Sequence, residues 1–155
     1  MNDLPEAYIE YLIHFHGTRD YFECHEILED HWKEDPHRSA VWVGLIQLAV
    51  AQYHHRRKNF FGAQKLFKKA IDKLQYEAEP LQRLGIDRKK LLSLLHVLEE
   101  KAAMQADYVS VCLPFSEKKV ETLCKSLCRQ RNLFYGEPSN LHNEAIVHKH
   151  MRRTP

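Results

Sequence analysis

At 155 residues, with 44% hydrophobic and 28% charged residues, the chain has the composition of a soluble globular protein with room for one core. Its 23 basic and 21 acidic residues give a net charge of +2, too balanced to predict a nucleic-acid partner. No apolar run approaches the roughly 20 residues that span a bilayer, so no membrane partner is expected.

The chain reads as helices from end to end. The opening, "MNDLPEAYIEYLIHF", lacks a basic n-region and a small-residue cleavage site, so no export signal is expected and the expected location is the cytoplasm. A first helix begins near Asn2 or Asp3, tolerates Pro5 in its first turn and ends at Gly17. A second starts at Asp20, where "DYFE" resembles a capping box with aspartate as the cap, and Pro36 stops it. A third covers Arg38 to Lys58, and its middle, "AVWVGLIQLAVA", is apolar on nearly every side, as in the central helix of a bundle. The fourth opens at Asn59 and frays near Glu79-Pro80. "EPLQRLGID" reads as a connection, and Asp87 caps a fifth helix running to about Asp107. "YVSVCLPF" reads as extended, because Pro114 breaks it and its valines disfavour helix. Ser116 caps a sixth helix. Residues 1–135 are thus expected to form a single helical domain, and 136–155 a polar, loosely ordered tail with a helical turn near Leu141 to Lys149.

Cys24, Cys112, Cys124 and Cys128 form no CxxC pair and are read as buried, reduced thiols. "YHHRRKN" is a basic helix end that suits the helix dipole; joined by "HKHMRR" in the tail, it is alternatively a patch that reads anions. "RDYFECHEIL" and "KNFFGAQKLF" align without gaps at an offset of 39 residues. Both open on a capping residue and two aromatics and carry a small residue, Cys24 or Ala63, at the same place. Two such units stacked would resemble αα-hairpins of the tetratricopeptide kind.

The polar residues of the second and third helices carry the functional question. With His25 as reference, Trp32, Tyr21 and Leu28 lie roughly 20–60° to one side of the helix and Glu29 and Phe22 about 40–60° to the other. His25 and Glu29 therefore sit within an apolar stripe, and packing by that stripe would take them inward. Burying an ionised carboxylate without partners costs several kcal/mol. The third helix offers partners in Gln47 and His54, seven residues apart on one face. Antiparallel packing would then gather His25, Glu29, Gln47 and His54, walled by Trp32, Tyr21 and Phe22. Three readings follow: a buried hydrogen-bond network that fixes helix register; a divalent metal site with His25, Glu29 and His54 as ligands; or an organic ligand or acid–base pocket in which His25 and Glu29 titrate. "HEILE" is not HExxH, since Glu29 stands where a zincin has its second histidine.

The run "YFECHEILEDHW", followed by "GLIQLAVAQYHHRRKNFFGAQKLF", resembles the domain of unknown function 309 family of small helical proteins. The matching positions are Phe22, His25, Glu26, Leu28, Glu29 and Trp32; then Gly44, Leu45, Ile46 and Gln47; then His54, Asn59, Gly62 and Ala63. The likeness covers about residues 18–75. Cys24 stands where the family usually has alanine, and Lys58 where it usually has glycine, which makes the turn before the fourth helix less permissive. The resemblance implies a bundle of αα-hairpins and no particular reaction, and it picks out His25, Glu26, Glu29, Trp32, Gln47 and His54. The chain is therefore expected to be all-α, a single bundle of five to six helices with tetratricopeptide-like packing. Its expected role is a non-enzymatic binding or scaffold protein for an unidentified protein or small molecule. The alternative is a metal-dependent, hydrolase-like enzyme with Glu26 as base.

Overall fold

The computed structural model describes residues 4–149. They form α1 (Glu6–Ile13), a π-helical turn (His14–Thr18), α2 (Tyr21–Glu34), α3 (Ala40–Arg56), α4 (Phe60–Leu74), α5 (Ala78–Arg83), α6 (Arg88–Ala103), α7 (Lys118–Gln130) and α8 (Glu144–Val147). The expected start of the first helix at Asn2 or Asp3 lies outside the described residues, as does most of "HKHMRR". Among the described residues there is no strand, only an isolated antiparallel bridge between Ile86 and Phe115. The all-α expectation holds, with more helices than five or six. The segment read as a connection contains α5, because Pro80 falls in its first turn, where an N–H has no intrahelical acceptor anyway.

α3 is the central helix. Its buried residues include Val41, Leu45, Leu48, Ala49, Gln52 and Arg56, so it is enclosed on most sides. α2 packs against it antiparallel: the Phe22 and Tyr53 rings lie 5.7 Å apart and those of His31 and Trp42 4.8 Å apart. α4 packs on the other side of α3, and α6 on α4. The repeat is visible in three dimensions. Asp20 accepts from Glu23 N (3.1 Å) and Asn59 from Gly62 N (3.1 Å), and Cys24 and Ala63 are both fully buried. α5 and its loops interrupt the second helix pair, so the tetratricopeptide likeness is loose.

The connections are tied to the helices by buried polar side chains. His16, in the π-helical turn, stacks on Tyr135 (4.8 Å) and accepts from Leu113 N (3.0 Å). The segment read as extended has no helix from 106 to 114, and Gln52 Nε2 donates to Val109 O (3.2 Å) to hold it. Residues 136–149 pack back on the bundle. Arg19 Nε donates to Glu137 O (2.8 Å), Arg56 Nη2 donates to Ile146 O (3.1 Å), and Lys149 Nζ donates to Asp20 (2.7 Å) and Glu23 (3.2 Å). Glu23 therefore serves Lys149 in the structure, while the Asp20 amide donates to Thr18 Oγ1 (3.0 Å), leaving a half capping box.

Candidate functional site

The inner face of α2 is centred differently from the apolar stripe. Its buried residues are Tyr21, Cys24 and Leu28. Cys24 is small enough for close approach, and its Sγ donates to Tyr11 O (3.5 Å). The face is therefore rotated toward Cys24, and His25, Glu29 and Trp32 lie along its edge beside α3. His25 Nε2 is 3.6 Å from Glu29 Oε2, with side chains 24% and 43% exposed. Glu29 Oε1 is also 4.0 Å from Lys33 Nζ. The His25 ring meets Phe22 edge-on at 5.5 Å. The Arg38 guanidinium lies over the Trp32 ring, 4.8 Å from its centroid. Glu26 is partly buried on the same helix.

α3 contributes its least buried stripe to this edge: Val43, Ile46, Gln47, Val50 and His54 are each only partly covered. Gln47 falls in the middle of the stripe. His54, at the end of it, faces Asn59, whose Nδ2 donates to His54 Nδ1 (3.3 Å). Three side-chain atoms along the edge are buried and have no hydrogen-bond partner among the described residues: His25 Nδ1, Trp32 Nε1 and Gln47 Oε1. They comprise a donor, an acceptor and a ring nitrogen whose role follows its tautomer.

The metal set His25, Glu29 and His54 is not brought together. No three histidine, cysteine, aspartate or glutamate side chains form a metal-holding group among the described residues. The cause is register. With Phe22 level with Tyr53, His54 falls about 6 Å along the axis from His25. His54 Nδ1 is engaged by Asn59 as well.

Other features lie outside this edge. Among the described residues, clefts of about 360, 380 and 540 Å³ lie elsewhere; the first two share Ser39 and Trp42, and the last is walled by Lys125, Arg129 and Tyr135. Arg56, in the segment read as a basic helix end, is turned inward and 5% exposed. Cys24, Cys124 and Cys128 are buried thiols, and burial pushes Cys24 and Cys124 well above the usual thiol pKa. Cys112, expected to be buried, is exposed. No described helix is long and apolar enough to cross a membrane.

A family model described as "Domain of unknown function (DUF309)" matches residues 8–66, which include every residue of the α2–α3 edge. The chain is similar to "Uncharacterized protein YpuF" of Bacillus subtilis (strain 168), at 48% identity over 151 residues, covering 96% of this chain and 87% of that protein. No solved structure matches the chain at a significant level. The near full-length relative, taken with the family match over residues 8–66, shows that the chain belongs to the domain of unknown function 309 family.

Proposed function

We propose that the protein is a non-enzymatic binding protein whose α2–α3 edge receives polar groups of a partner. The observation that carries this reading is the set of buried, unpartnered atoms, His25 Nδ1, Trp32 Nε1 and Gln47 Oε1. Each such atom costs about 1–3 kcal/mol in the free fold. A closed structural network would remove that cost internally; a binding edge leaves it for the ligand to relieve. Trp32 offers a donor and Gln47 an acceptor, which suits an amide or a stretch of peptide backbone. The half-exposed Glu29 carboxylate favours a neighbouring cationic or N–H-rich group.

Gln47→Leu separates the two roles, because it removes the buried acceptor while roughly keeping volume. A binding edge predicts that the free variant is as stable as the natural protein or more so in urea. It also predicts that mass carried by the natural protein in native mass spectrometry is lost from the variant. A fall in stability of more than about 1 kcal/mol would mean that Gln47 serves a structural network.

A further inference from the structure

α2 and α4 align at the offset of 39 residues, with matching caps and matching small residues at the core contact. Their outward charges do not copy; they invert. Glu26 corresponds to Lys65, Glu29 to Lys68 and Asp30 to Lys69 at the offset of 39 residues. One turn on, Lys33 corresponds to Asp72 and Glu34 to Lys73. Every Glu, Asp and Lys from 26 to 34 has its opposite in α4, including the one position where α2 is itself basic.

α3 lies between the two helices, and no ion pair joins α2 to α4 among the described residues. Glu29 spends its carboxylate on its own helix, toward His25 and Lys33. The α4 lysines are exposed and enter no ion pair among the described residues. Phe61, 79% exposed, starts the same outward face. A run of like charges on one helix face repels itself and is relieved by an opposite helix laid against it.

We propose that the protein self-associates, with α2 of one copy docked along α4 of another. α2 and α4 both run antiparallel to α3, so they point the same way. A two-fold axis parallel to the helices then sets α2 against the partner's α4 and α4 against the partner's α2, both in parallel register. That register pairs all the charged positions with opposite signs, whereas antiparallel docking brings Lys33 toward Lys65. A second copy fits better than a general acidic partner because the match extends to the reversed Lys33–Asp72 position. Docking would also cover Phe61.

Analytical ultracentrifugation of the full chain tests this with two charge reversals at exposed, repeat-equivalent positions. One variant carries Asp30→Lys and Glu34→Lys; the other carries Lys69→Glu and Lys73→Glu. Circular dichroism checks that each remains folded. The natural protein is expected to associate at low ionic strength and to weaken as salt rises from roughly 0.05 to 0.5 M. Each variant alone should associate about tenfold or more weakly. An equimolar mixture of the two should recover association, since each reversed helix then meets a complementary one. A natural protein that stays monomeric at low salt overturns the proposal. So does a variant that associates as well as the natural protein, or a mixture that stays monomeric.

Discussion

Lys58 ends the α3 turn with φ of 67°, in the left-handed region that costs a residue with a side chain about 1 kcal/mol or more. The conformation is imposed by the helix end: Lys58 N donates to His55 O (3.0 Å) and Asn59 N to His54 O (2.8 Å), which frees Asn59 to cap α4. Lys58→Gly should therefore raise stability by about 0.5–1 kcal/mol, the strain relieved less the extra freedom of glycine in the unfolded chain. The Lys58–Asp107 contact it removes is 4.0 Å long and exposed, so it contributes little. An unchanged urea midpoint would show that the turn is unstrained. His16 makes the opposite kind of residue-level demand. Burial lowers its pKa from 6.5 to about 3, against the pull of the Leu12 carbonyl. Its Nδ1 donates to Leu12 O (2.8 Å) and its Nε2 accepts from Leu113 N (3.0 Å), an arrangement only the neutral ring can make. Between those two pKa values the unfolded chain takes up a proton that the folded chain refuses. Stability from His16 is thus full above pH 6.5 and falls as pH drops toward 3, by up to about 1.4 kcal/mol per pH unit. His55, also lowered by burial, acts with the same sign. Urea unfolding between pH 7 and 4 should show the decline, and the His16 ring should not titrate by NMR over that range. A ring that protonates near 6.5 in the folded protein would contradict the buried placement.

At the scale of elements, α3 and α4 approach each other closely at Gly44. A Cβ there would lie 2.5 Å from two carbons of Leu74, which is fully buried and has no way out to solvent. Gly44→Ala should cost about 1–3 kcal/mol in overpacking. Combined with Leu74→Ala, it should show a favourable coupling larger than about 0.5 kcal/mol in thermal or urea unfolding. Simple additivity would mean that α4 shifts to absorb the methyl group. The elements themselves were largely legible, because their caps are chemical signals: Asp20, Asn59 and Asp87 each accept from the backbone N–H three residues on. α5 was hidden by Pro80, which reads as a breaker when its place in the turn is unknown. The π-helical turn carries no residue signal of its own. The face of α2 was misjudged because hydrophobicity was counted where size decides. Cys24 marks the contact, and the larger Phe22 and Trp32 lie beside it, only partly buried. The candidate residues named from the sequence lie on α2 and α3. Their hydrogen bonding was not legible, since it depends on the register between α2 and α3, which no single helix wheel contains.

At the scale of the whole molecule, two buried arginines join segments far apart in the chain. Arg19 donates to the carbonyls of Phe15 (3.0 Å), Val111 (2.5 Å) and Glu137 (2.8 Å). Arg56 donates to the carbonyls of Arg19 (2.6 Å) and Ile146 (3.1 Å) and to Ser139 Oγ (3.1 Å), with its guanidinium 4.6 Å from the Tyr21 ring centroid. Neither forms an ion pair among the described residues, so carbonyl dipoles and aromatic faces stand in for a carboxylate. A guanidinium suits this place because its planar fork satisfies several carbonyls at once, where an ammonium would act as a point charge. Arg56→Met keeps the length and much of the contact with Tyr21 but removes every donor. The carbonyls of Arg19 and Ile146 would lose their charged donor, at an expected loss of about 2–4 kcal/mol after the relief of a buried charge is counted. The loss should have an address. Residues 136–149 are held by Arg19, Arg56 and the Lys149 contacts with Asp20 and Glu23. Hydrogen exchange should therefore rise first in 136–149 and next in 106–111, while α3 and α4 keep their protection until global unfolding. Arg129→Met, at an exposed position, should change neither stability nor exchange. If Arg56→Met weakens the whole bundle evenly and leaves the tail no more open than the rest, Arg56 acts through the core around Tyr21 and not as the fastener of the chain's last segment.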